Sequence, residues 1–244
     1  MPDYVYGIVE SGATPPRGDG VAGARVRVVS DDGTAALVSD VAPRRLELGR
    51  DEVLSHARVL EEALQHGTVL PMRFGVVLEG DEDVKTQLLE PHAAELREQL
   101  ARFNGRVEIN IRATYEEEIV MREILAEDQG IATLREAIRD KPEDATYYER
   151  IDLGERVAEA IERKRELDGR QIVAALSVVA DAVEVSAPAH ERVALSASFL
   201  VARDRLKDFD QVLDAFAEGQ GGRLRFKYTG PLPPHSFVEF GAGG

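Results

Sequence analysis

Short runs of alternating or β-branched apolar residues open and close each half of the chain. Between them apolar positions recur every three or four residues, so strands and amphipathic helices interleave. The opening run Tyr4-Val5-Tyr6-Gly7-Ile8-Val9 predicts a strand, and the Gly-, Pro- and Ser-containing stretch from Ser11 to Gly23 predicts a loop. Arg25 to Val29 alternates polar with apolar, Asp31-Asp32-Gly33 offers a turn tolerant of positive φ, and Ala35 to Val38 runs back, which together predict a hairpin. From Asp51 to His66 the positions Val53, Ala57, Leu60 and Leu64 define a helical stripe, with Asp51 and Glu52 at the positive end of the dipole. Val69 to Leu78 is extended but interrupted by Pro71 and Gly75, the pattern of an edge or bulged strand. Asp81 to Phe103 reads as helix, with Pro91 starting a new turn, Ala93, Leu96, Leu100 and Phe103 as its buried stripe, and Asn104-Gly105 ending it.

The second half restarts at Arg106, where Val107, Ile109 and Ile111 share one face and Glu108, Asn110 and Arg112 the other. Tyr115 to Arg139 is helical with a break near Gly130, and after Pro142 a long helix carries Val157, Ile161, Ile172, Leu176 and Val179. Val183 to Ala187 and Arg192 to Ala202 predict strands, Asp204 an N-cap, and Leu206, Phe209, Leu213 and Phe216 the stripe of a further helix. Arg223 to Tyr228 alternates once more. Strand, helix, strand, strand, helix, strand is the order of a ferredoxin-like α+β sandwich, here with a helical insertion ahead of its first long helix. The expected class is α+β in two domains: an N-terminal α+β domain at 1–105 and a C-terminal ferredoxin-like domain at 106–244, which also carries the Pro-rich tail.

Composition narrows the function. With 244 residues and 43% hydrophobic side chains the chain can bury a core. It has no run near the roughly 20 apolar residues that span a bilayer, and its N-terminus lacks a basic stretch followed by an apolar one, so a cytoplasmic location is the expectation. The absence of cysteine excludes disulfides, thiolate metal sites and cysteine nucleophiles. A formal charge of −15 repels phosphate backbones and anionic lipid, so neither nucleic acid nor membrane is an expected partner. Tyr115 to Asp168 alone holds 17 acidic and 9 basic residues, the composition of a solvated helical face.

Candidate chemistry is sparse. Gly18-Asp19-Gly20-Val21-Ala22-Gly23 matches the dinucleotide-binding string, but a strand follows it rather than a helix, and Asp19 would face the phosphate. The five histidines show no metal-ligand spacing, Glu116-Glu117-Glu118 diverge around a helix start, and no Walker lysine or nucleophile elbow is present. No catalytic, cofactor-binding or metal residue is assigned, no small-molecule substrate is expected, and the expectation is a protein that is not an enzyme. Two segments depart from ordinary structure. Leu70-Pro71-Met72-Arg73-Phe74-Gly75 places a proline, an arginine and a glycine in an apolar strand, either as a bulged edge with Arg73 paired internally or as an edge offered to a partner. Tyr228 to Val238 is stiff and poor in hydrogen-bond donors, either packed on its own domain or held open for a partner. Arg223, Arg225 and Lys227 alternate on one strand. They support the alternative of a small-molecule-binding or phosphate-ester enzyme on ferredoxin-like modules, which would need an anion pocket.

The opening Tyr-x-Tyr-Gly-Ile-Val, the Leu-Pro-Met-Arg-Phe-Gly stretch, Ser198-Phe199-Leu200-Val201 and the closing Tyr-Thr-Gly-Pro-Leu-Pro-Pro-His-Ser-Phe-Val resemble, in order, the signature stretches of the gas vesicle protein F/L family (GvpF/GvpL). Members often have Trp where this chain has Leu232 and Tyr where it has His235. The resemblance implies an accessory protein required for gas vesicle assembly, without catalytic residues or cofactors, located in the cytoplasm and associated with the vesicle. It also implies binding to the hydrophobic shell protein GvpA and to other accessory gas vesicle proteins, as a chaperone or nucleation factor. The candidate partner-binding residues are Leu70, Met72, Arg73 and Phe74.

Overall fold

Every residue from Asp3 to Val9 is buried, and this run forms β1 (Asp3–Glu10), the strand around which the first sheet is built. β2 (Val26–Asp31) and β3 (Thr34–Asp40) form the expected hairpin, with Asp32 and Gly33 at φ of 27° and 86° in its turn. β3 pairs antiparallel with β1 along its length, with a bulge between Val5 and Gly7. On the other side of β1 lie two short strands, β4 (Leu70–Pro71) and β5 (Val77–Leu78). The order is β2-β3-β1-β4, with β5 also on β1. Gly7 makes this approach possible, since a Cβ there would lie 2.7 Å from the Leu70 carbonyl oxygen and 2.9 Å from the Val69 side chain. The fully buried Asp3 carboxylate is held by Arg27, whose guanidinium also meets Asp40 and Asp81.

The computed structural model describes residues 1–42 and 49–240, and the chain clusters into two units, Met1–Glu108 with Gly230–Gly244, and Ile109–Thr229. In the first unit α1 (Arg50–His66) packs on β1. A second helical stretch begins as α2 (Asp81–Asp83), widens into a π-helical segment at Val84–Leu89, and continues as α3 (Glu90–Phe103), where Pro91 sits in the first turn. Pro91 lies inside this continuous helical run, directly after the π-helical turn, which stands where its ring and missing N–H interrupt the regular ladder. The glycine-rich string at 18–23 is a loop with a short 3₁₀ turn. Packing explains Gly20, because a Cβ there would fall 2.1 Å from the Tyr6 hydroxyl.

The second unit has the strand order β7-β8-β6-β9, from β6 (Arg106–Tyr115), β7 (Ala182–Ser186), β8 (Val193–Ala202) and β9 (Leu224–Leu232). This is the ferredoxin-like arrangement, in which the first and third strands are central. The helical insertion is α4 (Glu117–Glu127) and α5 (Gln129–Ile138). The break between them falls at Asp128, whose side chain accepts from the Gly130 and Ile131 amides. α6 (Tyr147–Leu176) then runs 30 residues through Gly154 and Gly169. α7 (Leu206–Gly219) is preceded by a 3₁₀ turn at Arg203–Arg205, so Asp204 lies in that turn rather than capping the helix. Phe199 meets Phe209 and Phe216 meets Phe226, which places α7 against the apolar side of the sheet.

Candidate functional site

The segment between β4 and β5 stands off β1 while both of its ends are tied to it. The Met72 amide donates to the Tyr6 carbonyl and the Val5 amide to the Val76 carbonyl, each at 2.9 Å. Between these anchors the backbone swings outward, and Gly75 takes φ of 95°, a conformation that costs a residue with a Cβ about 1 kcal/mol or more. Leu70 is fully buried and belongs to the core. Met72 and Phe74 are half-buried. Arg73 is exposed, and among the described residues no ion pair holds it.

The loop's shape is fixed from beneath by side chains that the sequence pattern did not single out. The Tyr4 hydroxyl accepts from the Gly75 amide at 3.1 Å and donates to His56 Nδ1 at 2.8 Å. The His56 ring also hydrogen-bonds the Met72 backbone. The Phe74 ring completes the cluster, its centroid 5.9 Å from that of Tyr4 and 5.7 Å from that of His56. Tyr6 packs in the same cluster, its ring centroid 4.9 Å from that of Tyr4 and 5.6 Å from that of His56, its hydroxyl shared with Ser39 Oγ and accepting from the Val21 amide, both at 2.7 Å. Burial pushes the Tyr4 phenol up to about 12, raises that of Tyr6, and pushes His56 down to about 4. The whole cluster is therefore uncharged at neutral pH.

Two more buried polar groups of the first unit hold the closing strip. Gln99 on α3 exchanges two hydrogen bonds with the Glu239 backbone, donating to its carbonyl and accepting from its amide. The Glu108 carboxylate, 1% exposed, accepts from the Ser236 amide at 2.7 Å and the Ser236 hydroxyl at 2.9 Å. Phe237 is buried beside them. The end of the strip, at Ser236 to Glu239, therefore packs with the first unit, whereas its place in the sequence had put it with the second half. His56 and Gln99 lie on the buried faces of α1 and α3, and Glu108 lies on the polar face of β6 yet is buried. No local signal marks them, because each is satisfied by a group distant in the sequence.

The second unit contains a polar cluster of the opposite kind. Asp168 on α6 receives both terminal nitrogens of Arg223, at 3.0 and 2.6 Å, and the Tyr115 hydroxyl at 2.7 Å. Arg223 Nε donates to Glu123 at 2.8 Å, and Lys164 bridges Glu123 and Glu127. Burial, and then the bond to Asp168, raise the Tyr115 phenol beyond its usual range. Arg223 is thus a structural cation, and Arg225 pairs with Glu116 at 2.7 Å. Of the three basic residues read as lining an anion pocket, Lys227 faces a depression whose other lining includes Arg112, Asn110 and Thr229. Among the described residues no group of three or more His, Asp or Glu is placed to hold a metal ion, and no helix is long and apolar enough to cross a membrane.

Comparison with known proteins agrees across the chain's length. The family model described as gas vesicle synthesis protein GvpL/GvpF matches residues 3–239. Gas vesicle protein F of a Streptomyces species is 37% identical over 98% of this chain and the whole of that protein. Gas vesicle protein L1 of Halobacterium salinarum is 29% identical over 87% of this chain and 80% of its own length. Among solved structures, the crystal structure of GvpF from an Anabaena species superposes with a TM-score of 0.83 at 26% identity, covering 98% of each chain.

Proposed function

The chain belongs to the gas vesicle synthesis protein GvpL/GvpF family, and from that premise we propose that it acts in vesicle assembly by binding the small hydrophobic shell protein GvpA through the segment at residues 70–75 of its first unit. Family membership carries the accessory role in gas vesicle formation. The observation that carries the finer reading is the state of Arg73, a solvent-facing cation that has no ion-pair partner among the described residues, on a loop whose backbone is clamped from below by Tyr4 and His56. A cation so presented is available for a carboxylate of a partner, and Met72 and Phe74 flank it with half-exposed apolar surface. Because the loop is ordered before a partner arrives, association loses little conformational entropy there. Leu70, being buried, serves as the anchor of this surface rather than as a contact.

An acidic carrier also suits an apolar cargo. A net charge of −15 keeps the carrier and its complex dispersed, while the cargo's exposed strand edges or apolar faces are covered. Other accessory gas vesicle proteins are the expected further partners. The test is co-purification of co-expressed shell protein with the full chain and with Arg73→Glu. The reading expects capture by the parent and at least a tenfold loss in the variant, with unchanged melting. Equal capture by both removes residues 70–75 as the contact.

A further inference from the structure

We propose that the open face of the ferredoxin-like sheet in the second unit carries a binding pocket for a phosphate group, a site independent of the shell-protein surface. α7 covers the apolar side of this sheet, and the alternating positions of β6, β8 and β9 leave polar side chains on the other. There Arg112 and Lys227 line a depression of about 270 Å³. Both are exposed, and among the described residues neither has an ion-pair partner. The cations of this unit's polar cluster and of the start of β9 are instead committed to carboxylates. Arg223 is bound by Asp168 and Glu123, Arg225 by Glu116, and Lys164 by Glu123 and Glu127. Two like charges facing one depression repel each other, and an anion between them removes that cost.

The rest of the lining selects the anion. Ser186, Ser196 and Thr229 bring hydroxyls. Ser198 donates to Asn110 Oδ1 at 2.6 Å, which commits the amide oxygen and leaves the amide N–H groups as what Asn110 offers a ligand. A carboxylate has two oxygens and would leave most of these donors unanswered, whereas a phosphate presents three or four oxygens and can use a guanidinium, an ammonium and several hydroxyls together. No aromatic ring lines the pocket, and its volume is below the roughly 300 Å³ at which drug-sized ligand sites begin, so the recognised unit is the phosphate itself. Free phosphate and a small phosphomonoester share this chemistry.

The experiment is calorimetric titration of the full-length protein with inorganic phosphate at constant ionic strength set by chloride, repeated with glycerol phosphate. The proposal expects saturable one-site binding, weakened at least tenfold by Arg112→Ala and by Lys227→Ala, and abolished in the double variant. In chloride alone the double variant should melt no lower than the parent, because a repulsion has been removed. Tighter binding of glycerol phosphate identifies a phosphomonoester as the ligand, and equal or weaker binding identifies free phosphate. Heats that do not saturate, equal binding by the double variant, or preference for a glutamate-rich peptide over phosphate would overturn it.

Discussion

Each unit buries a tyrosine hydroxyl in a polar cluster, but the two clusters are built on different physics. In the first unit Tyr4, Tyr6, Ser39 and His56 are all uncharged, and their bonds end on the backbone of the segment at 70–75 and of the loop at Val21. In the second unit Tyr115 joins Asp168, Arg223, Glu123 and Lys164, and the bonds run from one side chain to another. The neutral cluster shapes a loop that ends in an exposed arginine. The ionic cluster fastens α4 and α6 to the ends of β6 and β9, and its arginine is consumed internally. Arg73 and Arg223 are thus alike in the sequence and differ only in their surroundings, one exposed and one held by Asp168 and Glu123.

The contrast breaks most severely at Asp168. Asp168→Ala leaves Arg223, only 15% exposed, short of its bidentate partner, and a loss of about 3–5 kcal/mol is expected in denaturant unfolding. The neutral cluster responds to pH instead. Unfolded His56 takes up its proton near 6.5 and folded His56 only near 4, so between those values the unfolded chain holds more protons and stability falls as pH falls. The parent should lose about 3 kcal/mol more than His56→Leu over that window, measured as the difference between their unfolding curves. Tyr4→Phe deletes one hydroxyl and leaves the Gly75 amide and His56 Nδ1 without their partner, a loss of about 1–3 kcal/mol together with faster amide exchange at Gly75. Smallest is Arg73→Glu, whose exposed side chain should change stability by no more than about 0.5 kcal/mol while capture of the shell protein falls at least tenfold.

The strand order of the second unit and the hairpin of the first were legible because their alternation is regular and their turns carry Gly and Asp. Pro71 and Gly75 marked the interrupted edge for the same local reason. The helical stripe of α1 was placed correctly at Leu60 and Leu64 but not at its start. Val53 is 47% exposed, and His56, Val59, Leu60, Ala63 and Leu64 form the buried face. A histidine counts as polar in a periodicity, and only Tyr4, 52 residues away, makes its burial tolerable. Gln99 misleads in the same way, since its partner Glu239 lies 140 residues on. Local pattern carries strands and turns, whereas a buried polar residue is explained only by the distant group that satisfies it.

The most direct measurement is hydrogen–deuterium exchange of the full chain with and without co-expressed shell protein. Slowed exchange is expected to concentrate at residues 70–78 of the first unit, while the amides around Tyr115 and Asp168 keep their rates. Unchanged exchange at 70–78, or slowing confined to the second unit, would contradict it.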